Sequence, residues 1–226
     1  MANWFKPGWL KKVKRPEARD LLFGDLPFDQ WPSETVAADE PWRSFIEARA
    51  NLKKGNKAET IRILRGIQAS VGLESRHYLQ AWQFLRELGV QPAAEQAKQL
   101  YGVIVEVGLE KGVDIVVAYA DFTARYFNYT GAAIIWERAD GSLDQYIGSL
   151  LDEGRKVVER IGPWDKARPS APGNGQVRIN LLTPSGLHFA QGPFEALARD
   201  PMGGPVIGCA TRLMQELIAK TEEQKH

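Results

Sequence analysis

The chain has 226 residues, of which 44% are hydrophobic and 25% are charged, and both values are ordinary for a globular protein. Its 29 basic and 28 acidic residues give a net charge of +1, so the overall charge provides no reason to expect a nucleic-acid partner. The single cysteine, Cys209, excludes an intramolecular disulfide and a thiolate metal cage, and no metal or other cofactor is predicted.

No apolar run approaches the roughly 20 residues that a membrane-spanning helix needs. The N-terminus also lacks the apolar region of a secretory signal. We therefore expect no transmembrane segment and a cytoplasmic location.

Residues 1–40 are predicted to form an irregular, aromatic arm. Its prolines prevent a long helix. In the stretch NWFKPGWLKK, Trp4 and Trp9 are interleaved with lysines, whereas disordered tails are usually poor in aromatic residues. Trp4 and Trp9 are therefore candidate partner-binding residues. The alternatives are an arm folded over the chain's own helices and, less compatible with the helix-breaking Pro7–Gly8 pair, an arm bound to an anionic membrane surface.

Residues 41–100 are predicted to be helical, because apolar side chains recur at helical spacing between glycine stops. Three helices are expected in PWRSFIEARANLKKG, NKAETIRILRGIQASVG and SRHYLQAWQFLRELGV, followed by a short helix from Ala93 to about Leu100. The run ARANLKKGNKAETIRIL resembles half of a tetratricopeptide repeat. No second copy follows at a period near 34 residues, so the resemblance covers one helical hairpin.

From Tyr101 onward the apolar residues alternate with a period of two. The runs VIVEV, VDIVVAYA, ARYFNY and AAIIWER are separated by short turns, which predicts a four-strand antiparallel meander. A long helix is expected in GSLDQYIGSLLDEGRKVVERIG, then a hairpin of QVRINLLT and GLHFAQG, then a helix from Pro205 to about Lys220. The fold class is α+β, with helices packed on the sheet of a domain covering residues 101–226.

This order of elements resembles the fold of type III secretion chaperones and related two-layer domains. The run from Tyr119 to Glu137 resembles stretches of bacterial proteins that have no assigned activity. The resemblance implies a bacterial origin and brings no particular chemistry with it.

The third and fourth predicted strands are apolar on both faces. Phe127 and Tyr129 point to one face of ARYFNY, while in AAIIWER Ile134 and Trp136 point opposite to Ile135. This pattern predicts that the two strands lie in the centre of the sheet. Helices would cover one face, and the aromatic arm or a protein partner would cover the other. Phe127 and Tyr129 are therefore further candidate partner-binding residues.

The sequence contains few candidates for catalysis, and no catalytic residue is predicted. Cys209 lies on the apolar stripe of the last helix, which favours a core position. A two-residue loop at Pro184–Ser185 places His188 opposite Leu181, either as a hydrogen-bonded core residue or facing a cleft near Arg178 or Asn180. Strand alternation puts Leu181 and Arg178 on opposite faces, which disfavours the cleft.

Gly203 and Gly204 precede the last helix, where free backbone N–H groups can bind an anion, although two glycines before a helix more often form a tight turn. No phosphate-loop Lys, Ser or Thr follows them.

We therefore expect a non-enzymatic protein–protein interaction module, namely an adaptor, a chaperone-like or an immunity-like protein. Its partner would be another protein or a second copy of the chain. The alternative is an enzyme whose site is assembled from scattered polar residues near His188, with Arg178 and Asp200.

Overall fold

A computed structural model describes residues 18–28 and 39–223. The chain divides into two compact units, Met1–Val90 and Gln91–His226. This division places the short helix Ala94–Ala97, which follows the three longer predicted helices, in the second unit. The candidate residues Trp4 and Trp9 lie outside the described residues.

The first unit contains the 3-10 helix η1 (Ala18–Leu22) and the helices α1 (Trp42–Lys53), α2 (Lys57–Ala69) and α3 (Ser75–Glu87). Its aromatic core centres on Phe84, whose ring stacks on Phe28 at 4.0 Å and meets the Phe45 ring edge-on at 5.8 Å. The Gln80 amide donates to the Leu26 carbonyl at 2.8 Å and accepts from the Leu26 N–H at 3.2 Å. The predicted helices of this part of the chain are confirmed.

The second unit begins with α4 (Ala94–Ala97) and contains a six-stranded antiparallel sheet with helices on one face. Its further elements are β1 (Gly102–Leu109), β2 (Gly112–Tyr119), β3 (Ala124–Phe127), β4 (Ala133–Trp136), α5 (Asp144–Arg160), β5 (Gln176–Thr183), β6 (Gly186–Pro193), α6 (Phe194–Arg199) and α7 (Gly203–Glu223). The predicted α+β fold, with a meander, a helix, a hairpin and a final helix, is confirmed. The short helix α6 was not predicted.

The sheet order is β4-β3-β2-β1-β5-β6, so β4 is an edge strand. The prediction that β3 and β4 form the centre of the sheet is wrong. Helix α5 has 17 residues and is about 25 Å long, so it is long enough to bring the chain back to a strand other than β4. The connection through α5 joins β4 at one edge to β5, which pairs with β1 instead of β4.

The main core lies between the sheet and the helices α5 and α7. Val103 and Val105 of β1 pack there with Ile147 and Leu151 of α5. Cys209 is buried in the same cluster, as its position on the apolar stripe predicted.

The opposite face of the sheet, called the second face below, is buried at its centre. Ile104 of β1 and Val117 of β2 have no exposed surface. The second face is therefore closed at the central strands, where burying an Ile or Val contributes about 1.5–3 kcal/mol. The expectation that the aromatic arm or a protein partner covers the rest of this face stays a prediction. Among the described residues, the exposed large apolar side chains are Val71, Leu109, Tyr129, Ile135 and Trp164.

Candidate functional site: the open edge of the sheet

Strand β4 directs half of its backbone groups away from the sheet. The N–H of Asn128 donates to the carbonyl of Ala132 at 3.0 Å, which makes these two residues a hydrogen-bonded pair. Such pairs alternate along an antiparallel ladder. With the register that pairs Phe127 with Ala133 and Arg125 with Ile135, the backbone groups of Ala133 and Ile135 point outward. The same alternation, continued one step past the strand, directs those of Glu137 outward as well. These groups find no backbone partner among the described residues.

The side chains beside these outward groups are apolar and accessible. Tyr129 is 50% exposed and Ile135 is 53% exposed. Ala133 is exposed and Phe127 is half-buried. Phe127, Ala133 and Ile135 project from the second face, and Tyr129 lies in the turn before β4. We call these four residues the β4 strip. Phe127 and Tyr129 were predicted as partner-binding residues, whereas Ile135 and the strand edge were not.

The turn before β4 is fixed by side chains that accept backbone N–H groups. The Asn128 amide oxygen accepts the N–H groups of Thr130 and Ala132, both at 3.0 Å, and the Thr130 hydroxyl at 2.7 Å. The Asp114 carboxylate accepts the N–H of Tyr129 at 2.8 Å and the hydroxyl of Tyr126 at 3.1 Å. The strip is therefore presented by an ordered hairpin.

The other end of β4 is closed by charged residues. Arg125 and Glu137 form an ion pair at 3.2 Å. Arg138 has a positive φ of 54°, which ends the extended backbone, and its guanidinium pairs with Asp144 at 2.7 Å and lies 4.9 Å from the Phe122 ring centroid. The open, uncharged part of the edge thus lies between Gly131 and Trp136.

The second edge of the sheet, β6, is covered by the segment that follows α5. The N–H of Trp164 donates to the carbonyl of Leu187 at 2.6 Å, and its ring meets the Phe189 ring edge-on at 5.0 Å. Lys166 lies over the Trp164 ring at 5.5 Å and Arg178 over the Phe189 ring at 5.4 Å. The two edges therefore differ, since a segment of the chain itself occupies part of β6.

A buried polar cluster anchors this covering segment. The Arg178 guanidinium donates to the Ser170 carbonyl at 2.7 Å and to the Gln191 amide oxygen at 2.7 Å, and lies 3.5 Å from the Glu106 carboxylate. The Asn180 amide donates to Glu106 at 3.0 Å, while its own oxygen is buried without a hydrogen-bond partner among the described residues. This cluster joins β1 and β5 to the segment that covers β6.

The cluster of Glu106, Arg178 and Asn180 was missed by the sequence reasoning. The signal was a charged residue in the middle of an apolar strand, as in VIVEV and QVRINLL. A charge at such a position is buried only together with a partner.

His188 is fully buried opposite Leu181, as the hairpin register predicted. Its Nδ1 lies 3.2 Å from the Ile161 carbonyl, which can only accept, so Nδ1 carries the hydrogen. Its Nε2 lies 3.1 Å from the Ser185 hydroxyl, which donates to the Ala97 carbonyl at 2.6 Å. Burial lowers the pKa of His188, outweighing the Ile161 carbonyl, which raises it.

The residues proposed to accompany His188 in an enzyme site make other contacts. The side chain of Arg178 projects from the second face, whereas His188 faces the helices. The Asp200 carboxylate accepts the N–H groups of Met202 at 2.9 Å and Gly203 at 2.7 Å, and these bonds lower its pKa. The N–H of Gly204 donates to the Asp200 carbonyl at 2.9 Å. The donors proposed for an external anion are thus bonded to Asp200.

A small cavity lies within the first unit, lined in part by Trp42, Arg76, His77 and Gln80. Its volume of about 10 Å³ holds at most one water molecule. Residues 18–28 and 39–223 contain no group of three His, Cys, Asp or Glu side chains arranged to bind a metal ion. None of the helices in these ranges combines the length and the apolar composition that crossing a lipid bilayer requires.

Comparisons of the chain with protein-family models, with curated proteins and with solved structures give no match. The resemblances to a tetratricopeptide repeat hairpin and to bacterial proteins of no assigned activity stay predictions. Among the described residues, the edge of β4 is the candidate binding surface.

Proposed function

We propose that the protein is a non-enzymatic protein–protein interaction module that binds its partner along β4. The observation that carries the proposal is the outward backbone of Ala133 and Ile135 beside an Ile135 side chain that is 53% exposed. An unpaired strand edge is a template for an added strand from another chain. The partner is therefore an extended protein segment with apolar side chains.

The composition of the edge supports this proposal. Proteins usually protect an edge strand with lysine, proline or an inward-pointing charge. Residues 131–136 contain none of these, and the first charge, Glu137, is already paired with Arg125. An edge without protection is an aggregation hazard unless a specific partner covers it.

Within this class, we propose an adaptor, a chaperone-like or an immunity-like role in the bacterial cytoplasm. All three roles need a soluble scaffold that presents one binding surface, and none needs a catalytic constellation. The resemblance of the element order to type III secretion chaperones supports the chaperone-like role as an analogy of fold.

The proposal is tested by comparing Ile135→Lys with Val71→Lys in affinity capture from the native host. Both side chains are exposed, at 53% and 93%, so neither change disturbs the core. A lysine at position 135 opposes burial of the strand edge by a partner. Val71 belongs to the first unit, so Val71→Lys adds the same charge away from β4 and serves as the control. We expect a partner that the unmodified chain and Val71→Lys retain and Ile135→Lys loses. If the unmodified chain and both variants capture the same proteins, the proposal is contradicted.

The alternative, an enzyme near His188, is favoured by one observation. The Ser185 hydroxyl lies 3.1 Å from His188 Nε2, which is the spacing of a nucleophile and its base. Against it, His188 is fully buried and Ser185 donates to the Ala97 carbonyl. A fluorophosphonate probe separates the two functions, since labelling of Ser185 in the folded protein supports the enzyme and absence of labelling contradicts it.

A further inference from the structure

We propose that the segment added to β4 is the β4 strand of a second copy of this chain, paired antiparallel about a two-fold axis at Ile135. This inference rests on the proposed function, because it names the partner of the same edge. It follows from the register of the outward backbone groups, the distribution of charge along the edge and the limits of the extended backbone.

The limits of the extended backbone define the register. Gly131 has a φ of 89° and Arg138 a φ of 54°, so the extended stretch lies between them. Its outward residues within β4 are Ala133 and Ile135. Alternation continued to Glu137 makes Ile135 the middle one of three. A two-fold axis at Ile135 therefore pairs every outward group and forms about six backbone hydrogen bonds. A two-fold axis at Ala133 would require the turn before β4 to join the strand pairing. An axis at Glu137 would require the loop that begins at Arg138 to do so.

The charges along the edge are compatible with this pairing. In the Ile135-centred register, Glu137 lies opposite Ala133 of the second copy, where its ion pair with Arg125 is retained. The two Glu137 residues are four positions apart along the ladder, about 13 Å. This distance exceeds the Debye length of about 8 Å at physiological salt, so their repulsion is largely screened.

The side chains across the axis are apolar on both faces. On the second face, Ile135 meets Ile135 of the second copy. On the helix-covered face, Ile134 lies opposite Trp136 of the second copy, and aromatic–β-branched pairs are among the favourable cross-strand contacts. The interface is short, and interfaces below roughly 1,200 Å² are weak. We therefore expect self-association at high protein concentration.

The first experiment is sedimentation equilibrium of the full chain from about 10 µM to about 500 µM, a range that detects a weak dimer. We expect the average mass to rise from 25.3 kDa toward twice that value, and Val71→Lys to behave in the same way. Ile135→Lys should remain at the monomer mass. Ile135→Pro should do so too, because it removes an outward N–H that β3 does not use. Circular dichroism confirms that each variant is folded.

The second experiment tests the register with cysteines in a Cys209→Ala background. At the proposed axis the two copies of residue 135 have Cα atoms about 5.5 Å apart, which permits a disulfide. The two copies of residue 134 are about 8 Å apart, which does not. We expect mild oxidation to crosslink Ile135→Cys much faster than Ile134→Cys. Equal rates, or a faster reaction at 134, would overturn the register.

The outcomes separate this inference from the proposed function. If the chain is a monomer at every concentration and a host protein is captured only when Ile135 is intact, pairing with a second copy is rejected. The proposed interaction module is then retained. A dimer that Ile135→Lys does not weaken rejects pairing through β4. If Ile135→Lys changes neither the captured host proteins nor the average mass in sedimentation, the proposed function is rejected as well.

Discussion

The Asp114 carboxylate accepts the backbone N–H of Tyr129 at 2.8 Å, and so connects β2 to the turn that precedes the open edge. Its second oxygen accepts the Tyr126 hydroxyl at 3.1 Å. One side chain therefore fixes both the turn and the strand that carry the β4 strip. The exposed edge is consequently a preorganised surface, and an added strand binds without first ordering the hairpin.

Replacing Asp114 with alanine should loosen this hairpin. Loss of two hydrogen bonds at a partly exposed site should lower the free energy of unfolding by about 1–2 kcal/mol, measured by urea denaturation. Amide exchange of residues 128–137 should accelerate more than that of β1. The control is Glu110→Ala in the exposed β1–β2 turn, and an equal effect of this change would contradict the role of Asp114.

Tyr126 should make the stability of the hairpin depend on alkaline pH. Burial and the negative charge of Asp114 raise the pKa of Tyr126 from 10.0 to about 12. The folded state then retains a proton that the unfolded state releases, so the stability is fully present below pH 10.0 and is lost as the pH rises toward 12. Tyr126→Phe should remove this loss.

The measurement compares denaturation of the unmodified chain and Tyr126→Phe between pH 9 and pH 12, with difference absorbance of tyrosinate as a second observable. The difference isolates Tyr126 because the remaining tyrosines are common to both chains. Parallel pH curves for the two proteins would show that Tyr126 does not titrate abnormally.

His188 should make the second unit sensitive to acid. Burial lowers its pKa below the ordinary value of 6.5, so the unfolded state binds the proton more readily than the folded state. The stability contribution is present above pH 6.5 and is lost as the pH falls through the folded pKa. His188→Gln should be less stable at neutral pH yet lose less on acidification.

The measurement is the urea midpoint of the unmodified chain and of His188→Gln from pH 4.5 to pH 7.5, with the imidazole resonances followed by NMR. His77 and His226 are common to both chains and cancel in the comparison. An imidazole of His188 that titrates at or above 6.5 would contradict the effect of burial.

Sequence periodicity predicts the elements of this fold better than their arrangement. The alternation of apolar residues located β1 to β6, because side chains of a strand point to opposite faces in turn. It also placed His188 opposite Leu181 correctly. Strand order depends on where α5 returns the chain, which is a long-range property that no local pattern contains. Consequently β4 was predicted at the centre and lies at the edge.

The candidate site was predicted in part for the same reason. Phe127 and Tyr129 were identified as partner-binding candidates because the predicted strands are apolar on both faces, and the structure places them beside the open edge. The importance of Ile135 follows only from the strand order. Asp200 had a local signal, an acidic residue three positions before Gly203 at a helix start, which is typical of an N-terminal cap. Its carboxylate uses the N–H of Gly203 that was proposed for an anion.

Two glycines of α5 provide a matched test of how closely this helix packs on the sheet. A Cβ atom at Gly154 would lie 2.6 Å from the Val103 side chain and 3.2 Å from that of Leu181. At Gly148 the nearest atom is on Phe122 at 3.9 Å, an ordinary contact. Both residues lie within the helix Asp144–Arg160, so alanine gains helix propensity equally at each.

Gly154→Ala should lower the free energy of unfolding by about 1–2 kcal/mol, since overpacking costs about 1–3 kcal/mol and the helix gains up to about 1 kcal/mol. Gly148→Ala should raise it by about 0.5–1 kcal/mol. Urea denaturation of the two variants measures the difference in sign. If both substitutions stabilise the protein, α5 does not press against β1 at Val103, and the close helix–sheet contact at Gly154 is incorrect.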